Sequence, residues 1–117
     1  MKLTEIITLL DAEVLAGGDH VNKEITACGA ADLMEDLSRK RTKGSLLITG
    51  LTSDLVITTS IDNQIGTVLM VRGKKPHPSM LALAEASQLP VLLTEHAMFT
   101  ASGMLYMAGL RGLDGTW

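Results

Sequence analysis

Two short apolar runs, residues 46–48 and 67–71, constrain this chain more than any other feature. Each is rich in strand formers, is closed within two residues by a glycine, and is too short to be a helix. Both read as buried strands. Between them lie residues 51–66, and what these form decides the topology. Residues 55–61 have strand-like composition, so propensity alone allows a three-stranded meander. The alternative is a helical crossover, because adjacent parallel strands need about a dozen residues of connection. Asp54 is placed to cap such a helix, and Ile57, Ile61 and Ile65 then fall on one face at spacings of four. Against this, Val56, Ile57, Thr58, Thr59 and Ile61 are β-branched and mildly unfavourable in helices. From the residues alone both readings stay open.

The flanking chain favours alternation. Leu3, Ile6, Ile7 and Leu10 have helical spacing, with Thr4 placed to help the start. A short strand over residues 13–16 and the turn-rich "GGDHVNKE" lead to a second strand over 25–28. Asp32 opens a helix with Glu35 three residues on, a stripe of Leu33, Met34 and Leu37, and Arg39, Lys40 and Arg41 at its end; acid first and base last suits the helix dipole. Pro78 fits the first turn of another helix, "SMLALAEAS", with Met80, Leu83, Ala84 and Ser87 on one side; it stops near Leu89 because Pro90 disfavours helical geometry before it. A strand over 91–93 and a helix over about 99–108 follow. The expectation is an α/β fold: a small, mostly parallel sheet with strand–helix repeats. One domain over residues 1–117 is expected, with residues 1–20 as an N-terminal helix and short strand and 111–117 as a glycine-punctuated tail.

Composition removes several classes of function. Hydrophobic residues make up 46% of the 117, yet no apolar run approaches the roughly 18–20 residues that span a bilayer, so no membrane partner is expected. "MKLTEIITLLDAE" brings in acidic residues too early for a secretory leader, and the lone Cys28 suits a reducing compartment, so the chain is expected in the cytoplasm. A net charge of −3, with one Phe, one Tyr and one Trp, gives neither a basic field nor a stacking platform for nucleic acid. His20, His77 and His96 lack metal-ligand spacing, and Cys28, ending a strand before Gly29, reads as a small buried residue rather than a nucleophile. Residues 66–75 do not form a phosphate-binding G-x-x-x-x-G-K-[ST] loop. No cofactor motif is present, and no serine stands out as a nucleophile.

The segments "EITACGAADLMEDL", "GSLLITGLTSD", "GTVLMVRGKKPHPSMLALAEASQLPVLLT" and "MFTASGMLY" together resemble the DRTGG domain, a small α/β module related to the N-terminal domain of HPr serine kinase/phosphatase. The likeness runs from about residue 24 to 106. It implies that the segment after the first glycine-ended strand is helical. It also implies a regulatory or dimerising module, of the kind found beside CBS domains, in phosphotransacetylases or as a standalone protein, and not a catalytic unit; this chain resembles the standalone kind. The chain departs from the family's polar signature. Leu51, Thr52 and Ser53 stand where an acidic–arginine pair is typical, and Val71, Arg72 and Gly73 where a Thr-Gly-Gly type ending is typical.

In an open parallel sheet, ligands bind beyond the carboxyl ends of the strands. Three loops gather there: Thr49–Gly50, Arg72–Gly73–Lys74–Lys75, and Thr94–Glu95–His96. Helix N-termini and the charges of Arg72, Lys74, Lys75 and His77 make a small anion, a phosphorylated metabolite or a nucleotide the expected ligand class. The plainer reading is that strand ends need turns and that basic side chains keep an exposed edge soluble. The last helix is apolar on two sides, with Met98, Met104 and Met107 joined by Phe99, Tyr106 and Leu110. Gly103 within it costs about 1 kcal/mol against alanine, a loss usually offset by close backbone approach. A homodimer is therefore expected, and a protein partner also fits. The reading is a non-catalytic regulatory or dimerisation module sensing an anionic ligand. Its alternatives are a structural adaptor or subunit of a larger enzyme complex with no ligand of its own, and a small enzyme acting on a phosphorylated metabolite.

Overall fold

The computed structural model describes residues 1–31 and 42–113. The helix expected over 32–41 and residues 114–117 of the tail lie outside the described residues. The described chain forms a five-stranded sheet in the order β1-β5-β4-β3-β2. Its strands are β1 (Glu13–Ala16), β2 (Cys28–Ala30), β3 (Leu46–Thr49), β4 (Thr67–Met70) and β5 (Val91–Leu93). β2, β3, β4 and β5 run parallel, and β1 closes one edge antiparallel to β5, with an irregularity between Val14 and Ala16. The helices are α1 (Leu3–Leu10), α2 (Asp54–Asp62), α3 (Pro78–Ala86) and α4 (Met98–Met107).

Residues 51–66 are thus a crossover and not a rung of the sheet: α2 carries the chain from β3 to β4, which pair directly in the register Leu46↔Thr67 to Thr49↔Met70. The energies explain why weak helix formers comply. Five β-branched residues cost together at most roughly 3.5 kcal/mol relative to alanine. Burying Val56 and Ile57 completely returns roughly 1.5–3 kcal/mol each.

Strand side chains alternate between two apolar layers, as the period of two requires. Leu47, Val68, Met70, Val91 and Leu93 pack with Val56 and Ile57 of α2 and Met80 and Ala84 of α3. Leu46, Ile48, Leu69, Val71 and Leu92 face the other way and pack with Leu3, Ile6 and Leu10 of α1 and Ala101 and Leu105 of α4. β3, β4 and β5 are buried at every position. This explains why they read as continuous apolar runs rather than as alternating ones.

Several local expectations are corrected. The second strand is Cys28–Ala30, not 25–28: Ile25 is buried, but its amide bonds to the Met1 carbonyl, and pairing with β3 begins at Cys28↔Leu46. Asp54 is the first residue of α2 rather than its cap; Ser53 is the N-cap and makes no side-chain capping bond. The buried face of α2 is Val56, Ile57 and Ser60, whereas Ile61 is exposed, so Ile57, Ile61 and Ile65 do not share a face. Lys2, not Thr4, precedes α1. α3 ends at Ala86, and Ser87 on its expected apolar side is exposed.

The turn leaving β1 depends on Gly17. Its φ is +68°, its amide donates to the Glu85 carboxylate, and a Cβ there would meet the Leu89 carbonyl carbon and Pro90 nitrogen at 2.7 Å. Gly17→Ala is expected to lower stability by roughly 1–2 kcal/mol from the left-handed backbone alone, with the clash added, as measured by urea unfolding.

Candidate functional site

Because β3, β4 and β5 are parallel neighbours, their carboxyl ends share one rim, and each feeds a loop into the next helix. Thr49–Gly50, residues 72–75 and Thr94 therefore come together at that rim. β1, being antiparallel, ends at the opposite one.

The β4–α3 loop is held tightly. Arg72 and Gly73 both adopt positive φ, +57° and +62°. Arg72 N–H donates to the His96 carbonyl (2.8 Å), Gly73 N–H to that of Thr94 (2.9 Å) and Lys74 N–H to that of Val71 (3.3 Å). Those amides are consumed within the fold, so the loop is no backbone cradle for phosphate, and an anion there would be held by side chains. Arg72, Lys74 and Lys75 are exposed, and among the described residues no hydrogen bond or ion pair engages their side chains. Gly73 is favoured by its positive φ; a Cβ there would meet only the carboxylate end of the exposed Glu95 side chain, which can swing aside.

The buried threonines are structural at the same rim. Thr49 Oγ1 accepts from Leu51 N–H (3.2 Å). Thr94 Oγ1 donates to the Leu10 carbonyl (2.9 Å), tying the rim to α1, and also accepts from His96 N–H (3.4 Å).

Two rim loops are linked in a way the sequence does not reveal. His77 caps α3, with Nδ1 accepting from Ser79 N–H, and Pro78 follows it in the first turn. Ser79 Oγ donates to Asp54 Oδ1 (2.8 Å) and lies 2.8 Å from His77 Nδ1, while His77 N–H reaches the Thr52 carbonyl at 3.4 Å. Asp54 and His77 stand out in the sequence only singly, as a cap and a charge. Ser79 carries no signal, because its partner is 25 residues away. The arrangement caps α3 and fastens it to the start of α2. At the rim α2 and α4 have no side-chain cap, their N-caps being Ser53 and Ala97.

Cys28 is bonded through its amide to the Arg111 carbonyl (2.9 Å), and its thiol, which borders a cavity of about 160 Å³ between β2 and α4, is pushed by burial from 9.0 up to about 12. It is a protonated thiol at neutral pH and a poor nucleophile. His20, His77 and His96 do not converge: among the described residues no group of three His, Cys, Asp or Glu could hold a metal ion. No described helix is long and apolar enough to cross a membrane.

A mostly parallel sheet between two helical layers, with the loops that follow its parallel strands on one rim, defines an α/β module of the kind used for ligand-controlled regulation as well as for catalysis. The DRTGG domain family model matches residues 5–108, and the chain belongs to that family. Among solved structures it is similar to the CBS and DRTGG domains of the regulatory region of Clostridium perfringens pyrophosphatase, complexed with the activator diadenosine tetraphosphate. The TM-score is 0.71 at 21% identity, a likeness of fold, and covers 97% of this chain and 48% of that one. This chain thus spans about half the length of that solved chain. No curated protein matches it.

Two outcomes are expected. Ser79→Ala should cost about 1 kcal/mol in urea unfolding and raise amide exchange in residues 50–54 and 74–79, because it unfastens α2 from α3. The folded state keeps the Cys28 proton that the unfolded chain loses above pH 9.0, so the stability this thiol lends is complete below that value and is lost as pH rises toward about 12. Cys28→Ala should flatten that part of the stability–pH curve, and the native thiol should resist iodoacetamide at pH 8.

Proposed function

We propose that this chain is a non-catalytic regulatory module that binds a small anionic ligand, of the nucleotide or phosphorylated-metabolite class, at the carboxyl rim of its sheet, and that it works as a homodimer. The observation that carries the reading is the loop of Arg72, Lys74 and Lys75: three cations without a side-chain partner among the described residues, on a backbone held by the amides of residues 72–74, in a chain whose net charge is −3. With Glu95 and Asp54 as the nearby carboxylates, the rim keeps a positive excess that a phosphate group would neutralise. Arg72 and Lys74 supply the charge, Lys75 extends it, Gly73 keeps the turn narrow, and Thr49, Gly50 and Thr94 set the floor between the strands. The nucleotide activator of the Clostridium perfringens regulatory region supports the ligand class.

Regulation requires that the ligand distinguish two arrangements of the protein, since equal affinity for both shifts nothing. The bonds from Arg72 to His96 and from Gly73 to Thr94 join the cationic loop to the segment that starts α4. Closing that loop on an anion would therefore bear on α4, and through it on pairing.

A thermal-shift series with ATP, AMP, diadenosine tetraphosphate and sugar phosphates is expected to give saturable stabilisation of about 2.7 kcal/mol at a hundredfold excess over Kd. The shift should vanish in Arg72→Ala/Lys74→Ala. A flat response to every compound favours an adaptor without a ligand, and turnover of any of them favours an enzyme.

A further inference from the structure

We propose that α4 is a homotypic docking surface: a second copy of this chain lays its own α4 antiparallel across this one, with the twofold axis at Gly103. The inference rests on the pairing reading above and goes beyond it by fixing the surface, the direction and the residues in contact.

Ala101 and Leu105 point α4 into the core. Phe99, Gly103 and Met107, at i, i+4 and i+8, form a line on the opposite side. Phe99 is 89% exposed and Met107 85%, and Tyr106 flanks them, also exposed. A Cβ built at Gly103 meets nothing within 4 Å. The close approach expected at this glycine is therefore not supplied from within the described residues, and the helical cost of glycine stays without an internal offset. A surface helix normally turns polar and charged residues outward. α4 turns out a phenylalanine, a glycine and a methionine, and its ten residues, MFTASGMLYM, carry no charge.

Charge and symmetry together select the occupant. Near a twofold axis each residue meets its own copy, so any charged residue there would face its like; α4 avoids this by having none. The nearest charges along the chain are Glu95 before the helix and Arg111 after it. Antiparallel crossing opposes the helix dipoles and keeps the two Glu95 carboxylates apart, whereas parallel crossing sets Glu95 against Glu95; Arg111 stays folded over its own Tyr106 ring at 4.1 Å. Phe99 and Met107 each lie four residues from Gly103. Antiparallel crossing therefore seats Phe99 of one copy on Met107 of the other, twice, in a thioether–aromatic contact, while Gly103 lets the two backbones come close. Beside Ala108 an open groove of about 540 Å³ runs along α1, lined by Thr4, Thr8, the charged Glu5 and Leu9, which is 37% exposed.

Sedimentation velocity at micromolar concentration, on the whole chain, tests this. The wild type should sediment as a dimer, and Phe99→Lys and Met107→Glu should each sediment as monomers. Phe99→Lys/Met107→Glu should recover the dimer, because the ammonium introduced on one copy then faces the carboxylate introduced on the other. All these positions are exposed, and circular dichroism of the monomeric variants should match the wild type. Dimers persisting in both single variants would overturn the α4 surface while leaving pairing elsewhere intact. A double variant that stays monomeric would overturn the antiparallel crossing, and a wild type that is monomeric would overturn both this inference and the pairing reading on which it rests.

Discussion

The constraint on which everything else depends is that β3, β4 and β5 are apolar on both faces. A strand buried on one side can belong to a meander exposed on the other. One buried on both sides needs cover above and below, and a single short chain provides that cover by crossing the sheet with a helix after each strand. The residues of α2, α3 and α4 follow from this demand more than from their own preferences. α2 is the clearest case, a run of β-branched residues made helical because Val56 and Ile57 are needed over Leu47 and Val68. Once the crossovers are helical the strands must be parallel, and once the strands are parallel their loops must gather on one rim.

That rim is not a phosphate loop of the familiar sort. The amides of Arg72 and Gly73 are directed inward to the β5–α4 segment and that of Lys74 to Val71, and the two buried threonine hydroxyls bond to backbone groups of the fold. What remains outward is side-chain charge. The exposed Arg72, Lys74 and Lys75 give this part of the rim a local positive field in a chain of net negative charge. The fastening of Asp54 to Ser79 and of Arg72 and Gly73 to the loop before α4 makes the rim a connected set of pieces.

The sequence is legible where chemistry is local. Glycine-ended apolar runs mark β3 and β4, Pro90 and Pro78 bound α3, and the basic loop after β4 stands out as charge in an acidic chain. It is less legible where the partner is distant. The second strand reads as starting early because Ile25 is as apolar as a strand residue; its burial comes from the N-terminal helix layer and not from the ladder. Ile61 looks like part of an apolar stripe, yet the sheet lies under Val56, Ile57 and Ser60, and the direction of a helix face is set by what it packs on. Ser79 gives no sign of its bond to Asp54.

Of this protein, the sequence by itself determined which segments must be buried, where they break, and that positive charge accumulates after β4, because hydrophobicity, glycine and proline act within a few residues. Only the tertiary structure decided that residues 54–62 are helical, that Arg72 and Gly73 spend their amides on the β5–α4 segment, and that the uncharged outer line of α4 is left uncovered by the described residues. Each of those outcomes is a competition between groups far apart in the chain, and such competitions are resolved by packing.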